Sequence, residues 1–289
     1  MFKEEDTTMN SPKEIAQNYV ATGTAKANLP ISKMLALGIL AGMFIALAGV
    51  GSTIAPATIA SNSLGKLIGA AVFPAGLAMV LVAGSELFTG NNLIIIPVLQ
   101  KEVKLQAMLK NWFFVYIGNF IGSLFIAAIT IYGGTFSVFN DAAASAVINT
   151  AVTKVNLTFS DALLRGILCN VLVCIAVWMS FAAKDVIGKI AGLFLPIMLF
   201  VLSGYEHSIA NMYFIPAGLF AVGNDVYLAA YAGDVSSLTW GAMFTNNLIP
   251  STIGNIIGGT VIVGMGYWFI YLREKVQKTA PPASRKKKK

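Results

Sequence analysis

Charged residues are scarce in this sequence. Lys, Arg, Asp and Glu together make up 11% of the 289 residues, whereas hydrophobic residues make up 56%. Soluble domains carry roughly 25% charged residues, so this chain has too few to cover a water-exposed surface. The composition therefore excludes an ordinary soluble protein. At about 20 residues per span, the apolar stretches predict an all-α integral membrane protein with six transmembrane helices and little left for a soluble domain.

Histidine and cysteine are also rare. The single histidine, His207, excludes a bis-histidine haem or a multi-histidine metal site within one chain. Cys169 and Cys174 do not form a CxxC motif, and five residues turn a helix by about 500°, so the two thiols face different directions. We predict that both are buried packing residues. The sequence offers no constellation typical of an enzyme, and we expect no metal and no cofactor.

Basic residues are distributed unequally between the two sides of the predicted membrane domain. The apolar runs fall near residues 34–56, 67–100, 107–132, 160–182, 187–222 and 245–271. Outside the runs or at their ends, seventeen Lys and Arg residues fall on the side of both termini, against three on the other side: Lys66, Lys154 and Arg165. The positive-inside rule places both termini in the cytoplasm, and we assign the chain to the cell inner membrane. This distribution also accounts for the basic charge without a nucleic-acid partner.

The chain divides into three regions. Residues 1–32 form a cytoplasmic segment in which Ser11-Pro12-Lys13-Glu14 is typical of a capping box that begins a short amphipathic helix. Residues 33–272 form the six-helix transmembrane channel domain, and residues 273–289 form a basic cytoplasmic tail. A gating role for the N-terminal helix and a plain solvated leader helix are both compatible with the sequence.

An internal repeat indicates a transport function. Three pairs of segments match in the same order, at offsets of 128, 120 and 136 residues. The pairs are Gly38-Ile-Leu with Gly166-Ile-Leu, Gly84-Ser-Glu86-(x4)-Asn91 with Gly204-Tyr-Glu206-(x4)-Asn211, and Asn111-(x6)-Gly118-Asn119-x-x-Gly122 with Asn247-(x6)-Gly254-Asn255-x-x-Gly258. Each copy holds three spans, so the second copy is inverted in the membrane, an architecture of channels and transporters. The glycine spacings of the third pair predict close helix packing.

The second and fifth runs are interrupted at equivalent points, residues 84–92 and 203–207. Irregular backbone at membrane depth is tolerated where it lines a cavity or is buried in protein, so we predict two broken helices around a midplane site. Glu86 and Glu206 are equivalent, and we expect each to cap backbone N–H groups of its interruption; contact with the permeating solute is the alternative. His207 has no counterpart, since Leu87 stands in its place. A lone buried histidine is usually a satisfied core residue, but the position of His207 within the predicted interruption favours a functional role.

Four segments closely resemble the formate/nitrite transporter family: Leu87-Phe-Thr-Gly-Asn-Asn92, Lys154-Val-Asn-Leu-Thr-Phe159, Gly204-Tyr-Glu-His-Ser-Ile-Ala-Asn211 and Asn247-Leu-Ile-Pro-x-Thr-Ile-Gly-Asn-Ile-Ile-Gly258. The resemblance extends from about residue 10 to residue 275. It implies an aquaporin-like fold of two inverted three-helix repeats, assembled as a homopentamer with a pore in each protomer. It also implies permeation of small monovalent anions or their acids.

The resemblance further implies roles for individual residues. Thr89, flanked by Leu87 and Phe88, would face the pore, Lys154 would be a vestibule cation, and His207 would be the central histidine. The cytoplasmic constriction would comprise Phe73 and Leu77, and the periplasmic one Asn170, Val173 and Phe200. Asn91 and Asn211 accompany the two glutamates at the breaks. One departure stands out: many formate-channel members carry histidine where this chain has Asn156.

We therefore expect the protein to transport formate. We also expect a proton to be transferred to the anion, so that the neutral acid crosses the apolar constrictions. Membrane lipids would surround the protein. Nitrite or hydrosulfide, in the same family, remains an alternative because of Asn156. A neutral-solute pore for water or ammonia is disfavoured, since neither break contains an Asn-Pro-Ala motif and Lys154 favours anions.

Overall fold

The computed structural model describes residues 9–273, and within that range the chain is helical, with no β-strand beyond an isolated bridge between Met9 and Ala183. The predicted all-α class is confirmed. The helices are α1 (Pro12–Ala27), α2 (Ile31–Ile54), α3 (Asn62–Gly84), α4 (Phe88–Leu99), α5 (Leu105–Tyr132), α6 (Ala142–Val155), α7 (Phe159–Ala182), α8 (Val186–Leu202), α9 (Ser208–Val222), α10 (Asp225–Ala229) and α11 (Trp240–Tyr271).

Five of these helices, α2, α3, α5, α7 and α11, are long and apolar enough to cross a membrane. The shorter apolar helices α4, α8 and α9 account for the rest of the predicted runs. The second run is divided between α3 and α4, and the fifth between α8 and α9. Gly84 and Gly204 end the first helix of each pair with φ of +84° and +68°, in the left-handed region that glycine adopts without strain.

Helix α1 begins as the sequence predicts. Ser11 accepts from the Glu14 N–H and the Glu14 carboxylate accepts from the Ser11 N–H, which completes the capping box. Its buried side contacts the helical body, and the Tyr19 hydroxyl donates to the Gly90 carbonyl in α4 at 3.3 Å. Apart from Arg273, the basic tail lies outside the described residues, so its separation from the channel domain stays a prediction.

Small residues let two pairs of long helices approach closely. A Cβ on Gly118 of α5 would lie 3.0 Å from the Cα of Gly38 in α2, and a Cβ on Gly254 of α11 would lie 3.0 Å from the Cα of Gly166 in α7. The predicted glycine packing seams are thus confirmed. They bring the asparagines that follow Gly118 and Gly254 directly against the interruptions.

Candidate functional site

The two interruptions have matching backbone hydrogen bonds. The Glu86 N–H donates to the Leu37 carbonyl of α2 at 3.2 Å, and the Glu206 N–H donates to the Arg165 carbonyl of α7 at 3.3 Å. Each interruption is therefore held against the preceding long helix of its own half. The next helix, α4 or α9, then begins inside the protein with N–H groups that need partners.

Asparagines from α5 and α11 supply those partners. The Phe88 N–H donates to Oδ1 of Asn119, and the Ser208 N–H donates to Oδ1 of Asn255, each at 2.9 Å. The Nδ2 groups of the two asparagines donate to the carbonyls of Glu86 at 2.8 Å and of Glu206 at 2.9 Å. An amide satisfies both an N–H and a carbonyl, which an acceptor-only carboxylate cannot do.

The expectation that Glu86 and Glu206 cap the backbone is therefore wrong. Their carboxylates accept from lysines: Lys26 Nζ lies 2.6 Å from Oε1 of Glu86, and Lys154 Nζ lies 3.0 Å from Oε1 of Glu206. Both carboxylates are buried, with side-chain exposures of 6% and 5%. A charge removed from water in this way needs an opposite partner, and lysine provides it.

Two asparagines extend each ion pair into a network. Asn91 Nδ2 donates to Glu86 Oε2, and Asn211 Nδ2 donates to Glu206 Oε2, each at 2.6 Å. The same Nδ2 groups donate to Asn111 Oδ1 at 2.9 Å and to Asn247 Oδ1 at 2.7 Å. Asn111 and Asn247 in turn donate to the backbone carbonyls of Lys26 and Lys154. The two halves share these bonds and differ in three others: Lys26 also donates to Asn91 Oδ1, whereas Lys154 and Asn247 each donate to Glu206 Oε2.

The sequence analysis missed Lys26. It lies 128 residues before Lys154, which is the offset between Gly38 and Gly166, so the repeat did contain the signal.

Thr89 and His207 join the two halves. Thr89 Oγ1 lies 2.9 Å from His207 Nε2, and His207 Nδ1 accepts the Ala210 N–H at 3.0 Å as the N-cap of α9. Because Nδ1 is an acceptor, the proton of the neutral ring is on Nε2, which donates to Thr89. The hydroxyl hydrogen of Thr89 is then free for another acceptor.

Asn170 lies in the interior of the protein. It is fully buried, and its Nδ2 lies within hydrogen-bond distance of the Thr89 carbonyl (3.2 Å), Asn92 Oδ1 (2.8 Å) and the Asn255 carbonyl (2.7 Å). The buried free thiol of Cys174 lies 3.5 Å from the same Thr89 carbonyl. Asn170 thus connects the start of α4 to the asparagine that caps α9. This arrangement fixes the position of Thr89.

Two cavities lie on either side of the Thr89–His207 pair. The Lys26 cavity, of about 720 Å³, is lined by Lys26, Glu86, Leu77 and Leu87 among others. The Lys154 cavity, of about 590 Å³, is lined by residues that include Lys154, Glu206, His207, Phe73 and Phe200. Thr89 is fully buried and lines neither cavity. Each cavity is therefore lined by one lysine–glutamate pair.

The expected grouping of constriction residues is partly wrong. Phe73 packs edge-on against Phe200 of the Lys154 cavity with ring centroids 5.6 Å apart, whereas Leu77 lines the Lys26 cavity. Phe73 and Leu77 are four positions apart in α3, which is about 6 Å along the helix at 1.5 Å per residue.

Two further constriction candidates lie outside both cavity walls. Phe88 packs against Trp112 and Tyr116 of α5, with ring centroids 5.9 and 4.9 Å apart. Val173 is buried within α7, and neither it nor Phe88 lines either cavity. Of the expected constriction residues, Leu77 and Leu87 line the Lys26 cavity, and Phe73 and Phe200 line the Lys154 cavity.

Known proteins resemble this chain over nearly its whole length. Residues 13–269 match the family described as formate/nitrite transporter. A probable formate transporter of Methanothermobacter thermautotrophicus is 38% identical over 283 residues, which cover 91% of this chain and 98% of the relative. Formate channel FocA of Escherichia coli (strain K12) is also 38% identical, over 91% of this chain and 95% of its own. A solved pentameric formate channel with formate bound superposes with a TM-score of 0.74 at 34% identity, covering 84% of this chain and 98% of that structure.

Proposed function

The chain belongs to the formate/nitrite transporter family, and we propose that it carries formate or a similar small monovalent anion across a membrane. Its relatives are channels and transporters, not enzymes. The observation that carries the proposal is the buried Thr89–His207 pair, which lies between two cavities that each contain a lysine. Lysine attracts anions, and a hydroxyl with a free hydrogen donates to an acceptor oxygen.

The substrate crosses the apolar barriers as a neutral acid. With the aspartate side chain, pKa about 3.9, as a stand-in for a small carboxylic acid, protonation near pH 7 costs about 4 kcal/mol. An anion in a dry barrier costs far more, on the order of 20 kcal/mol by an idealised Born calculation. Neutral passage is therefore the cheaper route past Phe73 and Phe200 or past Leu77 and Leu87. The anion gains a proton near His207 and Thr89, and a proton crosses with each formate.

The membrane arrangement belongs to the same proposal. Five long apolar helices and the divided pairs α3–α4 and α8–α9 support six spans in two inverted repeats, and the paired hydrogen bonds support an internal two-fold symmetry. We infer that this membrane is the inner membrane of the cell and that both termini face the cytoplasm.

A homopentamer is proposed from the solved pentameric neighbour and from an exposed apolar stripe on α5 that suits lipid or a second protomer. The stripe consists of Phe113, Ile117, Ile121, Phe125 and Ile129.

The test uses purified protein in liposomes loaded with a pH-sensitive dye, with an inward formate gradient at several pH values. Interior acidification faster than in protein-free liposomes supports transport of the acid, or of the anion with a proton. Formate entry that builds a membrane potential without acidification contradicts the neutral-passage mechanism. The same assay with nitrite and hydrosulfide compares the alternative substrates. Swelling with ammonia or water but no formate flux would favour a neutral-solute pore and overturn the proposal.

A further inference from the structure

The Lys154 cavity contains more positive charge than its lysine–glutamate pair requires. The three basic residues that the sequence assigns to the side opposite the termini are Lys66, Lys154 and Arg165, and all three line this cavity. They come from α3, α6 and α7, which are separate in sequence. The fold therefore gathers the basic residues of that side at the mouth of one cavity.

The charge of Lys154 is largely compensated. Glu206 accepts from its Nζ with both carboxylate oxygens, at 3.0 and 3.1 Å. Neither Lys66 nor Arg165 has an ion-pair partner among residues 9–273, and Lys66 lies within electrostatic range of Lys154, Glu206 and Arg165. Of the groups lining the cavity, three are cationic and one is a carboxylate, so its net charge is about two positive.

The internal symmetry does not require these two cations. The Arg165 carbonyl receives the Glu206 N–H just as the Leu37 carbonyl receives the Glu86 N–H, so a leucine fills the same structural position in the first half. Lys66 aligns with Val186 at the offset of 120. Lys66 and Arg165 therefore carry positive charges that the equivalent positions in the other half lack. This difference points to a role in binding rather than in folding.

We propose that Lys66 and Arg165 form an anion-recruitment site at the mouth of the Lys154 cavity, outside the Lys154–Glu206 pair. The guanidinium of Arg165 offers paired N–H donors that match two oxygens of a planar anion, and the Lys66 ammonium adds a point charge. The side chains of Asn62 and Thr153 line the same cavity and offer neutral hydrogen-bond donors. The ligand class is small planar oxyanions, carboxylates above all. This inference rests on the proposed function and specifies where its substrate first binds.

Sided transport kinetics test the site. We compare Lys66→Gln, Arg165→Gln and the double variant with Lys110→Gln, which removes an exposed charge of α5 that lines neither cavity. At low salt, the formate concentration for half-maximal entry from the Lys154 side should rise about threefold for each single variant and about tenfold for the double variant. The maximal rate should stay unchanged, and high salt should reduce the difference. The proposal would be overturned if the double variant and the Lys110→Gln control had the same formate concentration for half-maximal entry.

Two further arms identify the ligand. In liposomes of phosphatidylcholine alone, the double variant should still need a higher formate concentration for half-maximal entry. If this rise occurred only in liposomes with anionic lipid, the cations would bind lipid headgroups, and the proposal would be overturned. Saturation-transfer NMR of isotope-labelled formate with detergent-solubilised protein measures binding without transport. Weaker binding in the double variant supports the site even if no formate flux is detected. Absent flux with unchanged binding would contradict both proposals.

Discussion

His207 donates from Nε2 to the hydroxyl of Thr89, 2.9 Å away, while its Nδ1 accepts the N–H of Ala210. One ring thus performs two tasks, since it caps α9 and orients a hydroxyl from the opposite half of the protein. Both contacts require a neutral imidazole with its proton on Nε2. A solute at this point meets the hydroxyl hydrogen of Thr89 rather than the ring itself.

Replacing His207 with Phe should lower formate flux by about tenfold or more, because positioned proton donors contribute at least that much to reactions that need them. The pH dependence of the remaining flux should also change. The liposome assay with an internal pH dye measures both. Unchanged flux and unchanged pH dependence would mean that the imidazole is not part of the pathway.

A second substitution separates the two roles of the ring. Asparagine is among the preferred N-cap residues, so His207→Asn should keep the cap of α9 while it loses the bond to Thr89. Thermal stability near that of the unmodified protein, together with low flux, would assign the defect to the pathway. A large loss of stability in His207→Asn would instead assign it to folding.

The Lys154–Glu206 pair should behave as a buried ion pair. Lys154→Met leaves the Glu206 carboxylate buried without its cation, and we expect a loss of about 3–5 kcal/mol of stability. Glu206→Gln should also destabilise the protein. The double variant Lys154→Met/Glu206→Gln should recover part of the loss, because it removes both charges together. Thermal unfolding in detergent, analysed as a double-mutant cycle, measures the coupling.

Additive losses in that cycle would contradict a direct pair between the two residues. Lys33→Met serves as the control, since Lys33 is exposed at the start of α2 and is not part of either described ion pair. We expect the control to change stability by no more than about 0.5 kcal/mol.

Asn119→Ala and Asn255→Ala should destabilise the protein to a similar degree. Each removes the acceptor of a helix-start N–H, that of Phe88 or Ser208, and the donor to a buried glutamate carbonyl. The cost is about 1–3 kcal/mol for each unsatisfied group. The exposed Asn156, substituted in the same way, should change stability by less than about 0.5 kcal/mol. Proteolysis or thermal aggregation assays provide the measurement. A clear difference between the first two variants would show that the two caps are not equivalent.

Gly258 and Gly266 in α11 make a matched pair. A Cβ on Gly258 would overlap the backbone of Ile167 in α7, whereas a Cβ on Gly266 would meet nothing within 4 Å. Gly258→Ala should cost about 2 kcal/mol or more because two backbones must separate. Gly266→Ala should be neutral or slightly stabilising, as alanine favours a helix more than glycine does. The same unfolding assay compares them, and equal stabilities would refute close packing at Gly258.

Much of the fold follows from hydropathy and from the repeat. The apolar runs predict the helical class, and the capping box at Ser11 predicts the start of α1 correctly. Gly118 and Gly254 are identified as packing residues because their spacing is visible in the sequence. These features are local, or are repeated at a fixed offset, so no knowledge of the tertiary structure is needed to find them.

The partners of the two glutamates were not predicted correctly. A carboxylate in an apolar run needs compensation, but the sequence does not show whether a lysine or a backbone N–H supplies it. Lys26 and Lys154 both lie outside the apolar runs, so the repeat visible within those runs does not include them. The grouping of Phe73 with Leu77 rests on the family resemblance alone. Their separation into different cavities depends on how the neighbouring helices pack.

The paired networks are each complete within one half of the chain. Lys26, Glu86 and Asn119 lie before residue 120, and Lys154, Glu206 and Asn255 lie after residue 153. A cut in the α5–α6 loop between Phe139 and Asp141 severs none of the bonds within either network. During synthesis, the first half has all the partners of its buried charge before the second half leaves the ribosome. Two separately expressed fragments should therefore insert independently and recombine through contacts between the halves that include those of Thr89 with His207 and with Asn170.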